Sequence, residues 1–395
     1  MIPYPHQEQL STVALEVLRA NGWVYLAWEE RTGKTLAAIL TAEKSKAERI
    51  LVITKKKAEA GWVKTLNEFE HEKYFRVTTY HQAHKVVGTY DLVILDEAHN
   101  YISSFPKTGT LWKTVKPLCK GAPIIYISAT PHAQGYSMLF HQLALCDWGP
   151  WSKHKNFYQW FAMYGKPYSL EINGIAIPQY DRVKSEMILP QVEDCFITKT
   201  RAELGFEHEP EDMLHYVPLA ANTIAVYNTL LKDQLIKLSV GMLVADNASK
   251  MRTSLHQLEG GTIKIDKNYF VLANQEKIDY IKEHWGDSKD LVIMYNFIAE
   301  KTKLEKHFKN ATILQATSYA EGVDLSGYAN LVIYSQDYST ARHTQRRARQ
   351  ANMERKTSIT VHFLLVAKGI SSQVYKTVSV NKKNYVDSVF SKVYL

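Results

Sequence analysis

Cysteine is scarce in this sequence, with only Cys119, Cys146 and Cys195 among 395 residues. They are far apart and form no Cys-x-x-Cys pair, so neither a disulfide framework nor a zinc site is expected. The sequence also lacks any apolar run of about eighteen residues, and it does not open with a charged-then-apolar leader. We therefore expect a cytoplasmic protein with no membrane partner.

The composition is that of an ordinary folded protein, with 46% hydrophobic and 22% charged residues and no short repeat or low-complexity tract. Because 395 residues exceed what one hydrophobic core usually serves, two domains are expected. The net charge of +8 favours an anionic partner, and nucleic acid is the commonest one.

Short apolar segments alternate with helical patterns along much of the chain. The predicted strands are Trp23–Trp28, Arg49–Thr54, Asp91–Leu95, Pro123–Ser128, Asp290–Tyr295, Ala311–Leu314, Asn330–Tyr334 and Ser358–Val366. Such alternation predicts an α/β fold with parallel sheets covered by helices.

The middle of the chain has a different pattern. Apolar residues follow helical spacing in Ser137–Leu145 and Thr223–Leu238, and Asn173-Gly174 predicts a two-residue hairpin turn. We therefore expect two α/β domains with a mostly helical insertion. An aromatic cluster in this region is predicted to be core, with stacking on nucleic acid as the alternative. It consists of Trp148, Trp151, Phe157, Trp160 and Phe161.

The segment Trp28 to Leu40 (WEERTGKTLAAIL) has Gly-Lys-Thr between a predicted strand and a predicted helix. A phosphate-binding loop consists of glycine, four residues and Gly-Lys-Ser/Thr, and here Trp28 occupies the first glycine position. Strand, turn and helix direct backbone N–H groups toward phosphates, while Lys34 adds charge and the Thr35 hydroxyl can ligate Mg²⁺. The alternative is an ordinary strand-to-helix turn with a surface lysine.

A second motif, Asp96-Glu97-Ala98-His99, directly follows the predicted strand Asp91–Leu95. Parallel α/β proteins bind ligands at the carboxyl ends of their strands. Asp96 would hold Mg²⁺ through water, and Glu97 would polarise the water that attacks the γ-phosphate. A solvated acidic turn is the alternative.

With these motifs the chain resembles the ATPases of helicase superfamily two, especially the Swi/Snf-like branch that includes small phage helicases. In the family's order, the resembling segments are Pro5-His6-Gln7, Glu29–Thr35, Ile50–Phe69, Asp96–His99, Ser128–Pro131, Ala320–Leu325 and Gln345–Asn352. Together they extend over nearly the whole chain. The phosphate loop of this branch often lacks its first glycine, which accounts for Trp28.

The resemblance implies two tandem RecA-like parallel-sheet domains with a mostly helical insertion. Residues 1–200 would form the ATP-binding domain, with a helical and hairpin insertion at about 136–190. Residues 201–395 would form the second domain, with a helical insertion at about 220–262.

The resemblance also implies functional residues, motif by motif. ATP would be bound by Gln7, Arg31, Thr32, Gly33, Lys34, Thr35, Gly322 and Asp324. Catalysis would depend on Glu97, Lys34, Arg349 and Arg346. Mg²⁺ would be held by Thr35 and Asp96. Hydrolysis would be coupled to nucleic acid by Ser128, Thr130 and Gln345. Nucleic acid would be contacted by Lys55, Lys56, Lys57, Trp62, Tyr80 and His81, although a lysine run can also be a solvated face.

Two departures from the family pattern occur. The second arginine position of the last motif holds Asn352, so Arg349 is the first choice for the arginine finger, with Arg346 or Arg347 as substitutes. A basic, exposed helix face is the alternative for these arginines. In addition, the segment after Phe308 is shorter than in the family, which leaves its nucleic-acid contacts in doubt.

The resemblance implies an ATP- and Mg²⁺-dependent DNA helicase or translocase, in which hydrolysis in the cleft between the domains drives movement on DNA. Single-stranded or duplex DNA is favoured over RNA, and a monomer with a replication or recombination protein as partner is expected. The setting would be phage-type replication, recombination or repair in the host cytoplasm. The alternative is a nucleotide-switched binding or annealing protein without processive unwinding, which Asn352 and the short second domain favour.

Overall fold

The computed structural model describes residues 2–69, 71, 73–132, 135–172, 175–316, 325, 327–347, 359–381 and 383–394. The chain forms two compact units, Met1–Gly205 and Phe206–Leu395, called unit 1 and unit 2 below. None of the helices in these described ranges is long and apolar enough to span a membrane.

Unit 1 is built on one parallel sheet. The strands of the whole unit are β1 (Trp23–Trp28), β2 (Arg49–Thr54), β3 (Tyr74–Thr79), β4 (Leu92–Asp96), β5 (Ile124–Ile127), β6 (Tyr168–Ile172), β7 (Ile175–Gln179) and β8 (Phe196–Lys199). Its helices are α1 (Pro5–Asn21), α2 (Lys34–Glu43), α3 (Lys56–Glu68), α4 (Thr110–Val115), α5 (Leu139–Leu143), α6 (Phe157–Tyr164) and α7 (Ser185–Ile188). The sheet has the order β3-β2-β4-β5-β1-β8, with parallel pairing throughout. The carboxyl ends of β4, β5 and β1 therefore lie side by side at one edge of the sheet.

The central strands are buried on both faces, as expected for a parallel sheet covered by helices. On β1, Trp23, Tyr25 and Trp28 are at most 2% exposed. The ring of Tyr25 stacks on Tyr126 with centroids 5.2 Å apart and on Phe196 at 4.7 Å. These contacts fix β1 between β5 and β8, so the loop that follows β1 begins from a rigid position.

The middle segment of unit 1 combines short helices with an antiparallel hairpin. Strands β6 and β7 pair with Ile172 opposite Ile175, and the predicted turn residues Asn173 and Gly174 lie outside the described residues. Most of the aromatic cluster is buried, as the core interpretation predicts. Its buried members are Trp151, Phe157, Trp160 and Phe161. Trp148 differs, because 52% of it is exposed.

Unit 2 contains a second parallel sheet. The strands of the whole unit are β9 (Pro210–Tyr216), β10 (Leu235–Leu238), β11 (Gly241–Val244), β12 (Thr262–Ile265), β13 (Asn268–Val271), β14 (Leu291–Tyr295), β15 (Thr312–Gln315), β16 (Asn330–Ile333) and β17 (Ile359–Leu365). Its helices are α8 (Ala221–Asp233), α9 (Ala248–Glu259), α10 (Glu276–Trp285), α11 (Ile298–His307), α12 (Thr340–Arg347), α13 (Ile370–Tyr375) and α14 (Asp387–Tyr394). The sheet has the order β15-β14-β16-β17-β9 with parallel pairing, and β10–β11 and β12–β13 are antiparallel hairpins.

The predicted fold class, α/β with two parallel sheets and helices between their strands, is confirmed. The predicted helix over Thr223–Leu238 is too long at its carboxyl end, because α8 stops at Asp233. Gln234 has a left-handed backbone with φ of 56°, which ends the helix, and the next residues form β10.

Candidate nucleotide-binding site

The loop between β1 and α2 has two left-handed residues. Among its described residues, φ is positive at Arg31 (68°) and at Gly33 (80°), which caps α2. Trp28, at the position of the missing first glycine, is the last residue of β1 and is fully buried. Its backbone belongs to the strand, so this loop has no need of glycine there.

The N-terminal segment holds this loop. Gln7 is 3% exposed, and its Nε2 donates to the carbonyl oxygen of Gly33 at 3.1 Å while its Oε1 accepts from Tyr4 N at 2.8 Å. A Cβ atom on Gly33 would lie 1.9 Å from Gln7 Nε2, so any other residue there would displace the Gln7 side chain and would also be strained at a φ of 80°. The neighbouring His6 Nε2 lies 3.1 Å from Thr32 O. Gln7 thus positions the loop, and its predicted contact with ATP stays a prediction.

Lys34 lies folded against the loop that precedes it. Its Nζ donates to the carbonyl oxygens of Trp28 at 2.7 Å and Glu29 at 2.6 Å. Burial lowers the pKa of Lys34, and the negative charges of nearby carboxylates oppose this shift. These carboxylates belong to Glu30, Glu97 and Asp96. The lysine is therefore surrounded by acceptors, and a phosphate group would compete with them for its hydrogen bonds.

Asp96, at the end of β4, is oriented by residues from the neighbouring strand and helix. Its Oδ2 accepts from Thr54 Oγ1 at 2.6 Å and from Trp62 Nε1 at 3.0 Å. Burial raises the pKa of Asp96 and the charge of Glu97 adds to the effect, while Lys55 and the two hydrogen bonds oppose it. One carboxylate oxygen is thus fixed by uncharged donors.

Glu97 connects the two motifs at the ends of β4 and β5. Its backbone is left-handed, with φ of 52°, and its N–H donates to Ile127 O at 2.8 Å. Its Oε2 accepts from Ser128 Oγ at 3.0 Å and lies 3.3 Å from His99 Nδ1. Ser128 Oγ in turn accepts from Thr130 N at 3.0 Å. The predicted water-polarising residue Glu97 is therefore in direct contact with the predicted coupling residue Ser128, which in turn contacts Thr130.

The structure corrects part of the predicted nucleic-acid surface. Trp62 is 2% exposed and Tyr80 is fully buried, with its hydroxyl donating to Asp96 O at 2.9 Å. Neither side chain presents a surface on which nucleic acid could bind, so the prediction of direct contact is wrong for these two residues. Lys55 is also buried and faces Asp96.

The other predicted contacts of unit 1 are on the surface. They are Lys56, Lys57 and His81, all of which are exposed. Lys56 and Lys57 occupy the first turn of α3, which also carries the buried Trp62. They remain the candidates for contact with a nucleic-acid backbone.

Sequence reasoning missed a residue that holds the phosphate loop from its other side. Arg201 N donates to Glu29 Oε2 at 2.7 Å, and Arg201 Nη1 donates to Glu30 O at 3.3 Å. Arg201 follows β8, which pairs with β1 so that Lys199 lies opposite Trp28. Recognising β8 as a strand beside β1 would have placed Arg201 next to the loop.

The predicted residues of unit 2 are only partly described. Gly322, Asp324 and Arg349 lie outside the described residues. Gln345 and Arg346 lie on α12, and their side chains fall outside the described part of the chain.

Arg347, proposed as a substitute arginine finger, has another role. Its Nε donates to Asp212 Oδ1 at 2.5 Å and its Nη2 to Pro210 O at 2.6 Å. Tyr375 donates to the second oxygen of Asp212 at 2.6 Å. Arg347 is thus bound to β9 by an ion pair and a backbone hydrogen bond, and its use as a substitute finger stays a prediction.

Within the described residues, no group of three or more His, Cys, Asp or Glu side chains is arranged to hold a metal ion. Mg²⁺ rarely needs such a group, because it keeps several waters and takes one or two carboxylates plus phosphate oxygens. Thr35, on the first turn of α2, and Asp96, at the end of β4, provide oxygen donors of the required type. The residues present therefore fit Mg²⁺ bound together with a nucleotide.

Comparisons with known proteins gave structural matches only. No family model and no curated protein matches the chain. The SWI2/SNF2 ATPase core of Sulfolobus solfataricus in complex with dsDNA is similar over 100% of this chain and 93% of that chain, at 12% identity and a TM-score of 0.44. The SWI2/SNF2 ATPase core domain of the same organism is similar over 97% and 90%, at 13% identity and a TM-score of 0.42.

Proposed function

We propose that this chain is an ATP-dependent DNA translocase or helicase that hydrolyses ATP at the loop between β1 and α2. The observation that carries the proposal is the arrangement at three adjacent strand ends. Lys34 follows β1, Ser128 follows β5, and Asp96 and Glu97 lie at the end of β4. A cationic group, a metal-binding carboxylate and a second carboxylate at one sheet edge are what phosphoryl transfer to water requires.

Nucleotide binding would begin with an exchange of partners by Lys34. Its present acceptors, the carbonyl oxygens of Trp28 and Glu29, are uncharged. Charge-assisted hydrogen bonds to phosphate are stronger, so the lysine would turn to the β- and γ-phosphates when ATP enters. Thr35 and Asp96 would hold Mg²⁺, which supplies neutralising positive charge to the phosphates when bound.

Glu97 would orient and polarise the attacking water. Its carboxylate is held by Ser128 and lies beside His99, and its left-handed backbone fixes the direction of the side chain. Because Ser128 also accepts from Thr130 N, a movement of the Ser128–Thr130 segment would move the carboxylate. We propose this contact as the link between nucleic-acid binding and hydrolysis.

Helix α3 provides the candidate route from DNA to the site. Lys56 and Lys57 are exposed on its first turn, while its buried Trp62 is bonded to Asp96. Contacts of the two lysines with phosphates would be independent of sequence and sensitive to salt. The overall charge of +8 is consistent with such binding. The preference for DNA over RNA and the phage-type setting stay predictions of the sequence.

The experiment that tests the proposal is ATP turnover measured alone and with single-stranded DNA, duplex DNA, forked duplex and RNA. We expect slow turnover alone and a clear increase with at least one DNA. Lys34→Ala should abolish turnover in every condition, which excludes a contaminating ATPase. If the wild-type chain hydrolyses ATP at the same rate with and without every nucleic acid, the motor proposal fails.

The second candidate is a nucleotide-switched annealing protein. It is favoured by Asn352 at the second arginine position and by the ion pair that binds Arg347 to Asp212, because both reduce the arginines available to assist hydrolysis. A tailed duplex separates the two functions. Strand displacement by the wild type supports the motor, whereas annealing that persists in Glu97→Gln, without unwinding by the wild type, supports the switch.

A further inference from the structure

Glu30, in the middle of the phosphate loop, has a largely buried carboxylate that is incompletely satisfied. Its side chain is 14% exposed, and its Oε2 lies 3.8 Å from Arg201 Nη1. Its Oε1 is buried without a hydrogen-bond partner among the described residues. A buried, unpaired carboxylate oxygen is unfavourable, so a residue of this kind at the phosphate loop calls for a functional reason.

Charged groups from several elements face this carboxylate. Burial raises the pKa of Glu30, and the nearby negative charge of Glu97, at the end of β4, raises it further. Lys34 from α2 and Arg201 from the segment after β8 oppose the shift. Lys34 Nζ is hydrogen-bonded to backbone carbonyls, so Glu30 compensates its charge through proximity.

The position of Glu30 is fixed by the backbone around it. Arg201 Nη1 donates to Glu30 O at 3.3 Å, and Arg201 N donates to the adjacent Glu29 Oε2 at 2.7 Å. Glu29 N also donates to Lys199 O at 2.9 Å. These bonds tie the loop to the end of β8 and keep the carboxylate near the lysine.

We propose that Glu30 is an internal counter-anion of the phosphate loop, which competes with a triphosphate for the positive charge of Lys34 and thereby sets nucleotide affinity. This inference rests on the proposed function. A triphosphate bound by Lys34 would bring several negative charges close to the carboxylate of Glu30. Like charges that are close together repel strongly where water is excluded. Glu30 thus weakens nucleotide binding unless its carboxylate moves away or takes up a proton.

The sign of the pH effect follows from protonation. Lowering the pH toward the raised pKa of Glu30 neutralises its carboxylate and removes the repulsion. Nucleotide affinity of the wild type should therefore increase as the pH falls, relative to a variant without this carboxyl group. The comparison between wild type and variant cancels the titration of ATP itself.

The test is Glu30→Gln, which keeps the size of the side chain and removes its charge. Binding is measured by titration with a fluorescent ATP analogue, inorganic triphosphate and adenosine. We expect affinity for the analogue and for triphosphate to rise about tenfold, equivalent to about 1.4 kcal/mol. Affinity for adenosine should not change. As the pH falls, the affinity of the wild type for triphosphate should increase relative to that of Glu30→Gln.

Two further variants make the result specific. Glu30→Met removes the charge without adding a new hydrogen-bond donor and should also bind triphosphate more tightly. Glu16→Gln removes an equal charge from an exposed residue of α1 and should have a much smaller effect. Unchanged or weaker triphosphate binding by both Glu30 variants, with thermal unfolding like that of the wild type, overturns the inference.

The failure of this inference differs from the failure of the proposed function. If the wild type binds neither the ATP analogue nor triphosphate, both are overturned. If the wild type binds them and hydrolyses ATP, but the two Glu30 variants bind equally well, only the counter-anion role is overturned.

Discussion

The indole nitrogen of Trp62 donates a hydrogen bond to the carboxylate of Asp96, with Nε1 3.0 Å from Oδ2. Trp62 lies on α3 and Asp96 at the end of β4, so the helix orients a carboxylate on the neighbouring strand. The first turn of the same helix carries the exposed Lys56 and Lys57. One helix therefore connects the protein surface with the proposed metal-binding carboxylate.

Trp62→Phe should reduce ATP turnover about tenfold, because it removes a hydrogen bond to a charged group while keeping an aromatic ring in the core. Affinity for a fluorescent ATP analogue should change little. Steady-state turnover and equilibrium titration measure the two quantities separately.

Trp160→Phe is a matched control for this substitution. Trp160 is fully buried like Trp62, but its Nε1 has no hydrogen-bond partner in the described part of the chain. We expect Trp160→Phe to lower thermal stability and leave turnover unchanged. Equal losses of turnover in the two variants would attribute the effect of Trp62 to packing.

Ser128→Ala should uncouple hydrolysis from nucleic acid. The substitution removes the bonds that join Ser128 to Glu97 and to Thr130 N, so the increase in turnover caused by DNA should fall about ten- to a hundredfold. DNA affinity should be retained, as measured by fluorescence anisotropy. Ser137→Ala, which removes a buried hydroxyl bonded to Tyr180 O, should retain the DNA response. Normal stimulation of Ser128→Ala would exclude the coupling role.

Replacing Lys56 and Lys57 together by alanine should weaken DNA binding without lowering turnover in the absence of DNA. If each lysine contacts one phosphate, the slope of log affinity against log salt should decrease by about 2. Lys46 and Lys120 are exposed near the amino ends of β2 and β5, away from the candidate site at the carboxyl ends. Replacing both by alanine removes the same charge and serves as the control. Equal effects of the two double variants would indicate that only net charge matters.

Glu300 in unit 2 predicts a specific pH dependence of stability. Burial raises its pKa from 4.5 to about 7, although Ser335 and the backbone N–H groups of Asn296 and Phe297 donate to its Oε2. Between pH 4.5 and about pH 7, Glu300 therefore keeps its proton in the folded state and releases it in the unfolded state. Stability falls as the pH rises through this window, by at most about 3 kcal/mol.

Glu300→Gln should remove this contribution, so the difference in unfolding free energy between about pH 5 and about pH 8 should shrink. Urea denaturation at both pH values measures it. Glu305→Gln changes an exposed residue of the same helix and should keep the wild-type difference. An unchanged pH dependence in Glu300→Gln would show that Glu300 does not titrate in this range.

The apolar central strands could be predicted from the sequence because both of their faces are buried. The predicted strand Arg49–Thr54 coincides with β2, and Trp23–Trp28 coincides with β1. Strands with polar or exposed residues were missed. On β9, Met213 and Tyr216 are about half exposed, so Pro210–Tyr216 shows no continuous apolar run.

Motif spacing predicted which strand ends carry the candidate site, but it did not predict the direction of individual side chains. Trp62 and Tyr80 were expected at a nucleic-acid surface, whereas both are buried against Asp96. Their orientation depends on the packing of α3 and of the segment after β3 on the sheet. Arg201 could not be found in this way, since its place beside Glu29 follows from the pairing of β8 with β1.

The position of Trp28 within β1 has a consequence for recognising related chains. Sequence patterns that demand glycine at this point would reject them, although the chain reverses direction only further along, at Arg31 and Gly33. Arginine in a left-handed conformation costs about 1 kcal/mol or more, so Arg31→Gly should relieve strain in the loop backbone. A more informative search pattern would therefore combine Gly-Lys-Thr with a preceding bulky strand residue and an N-terminal glutamine such as Gln7.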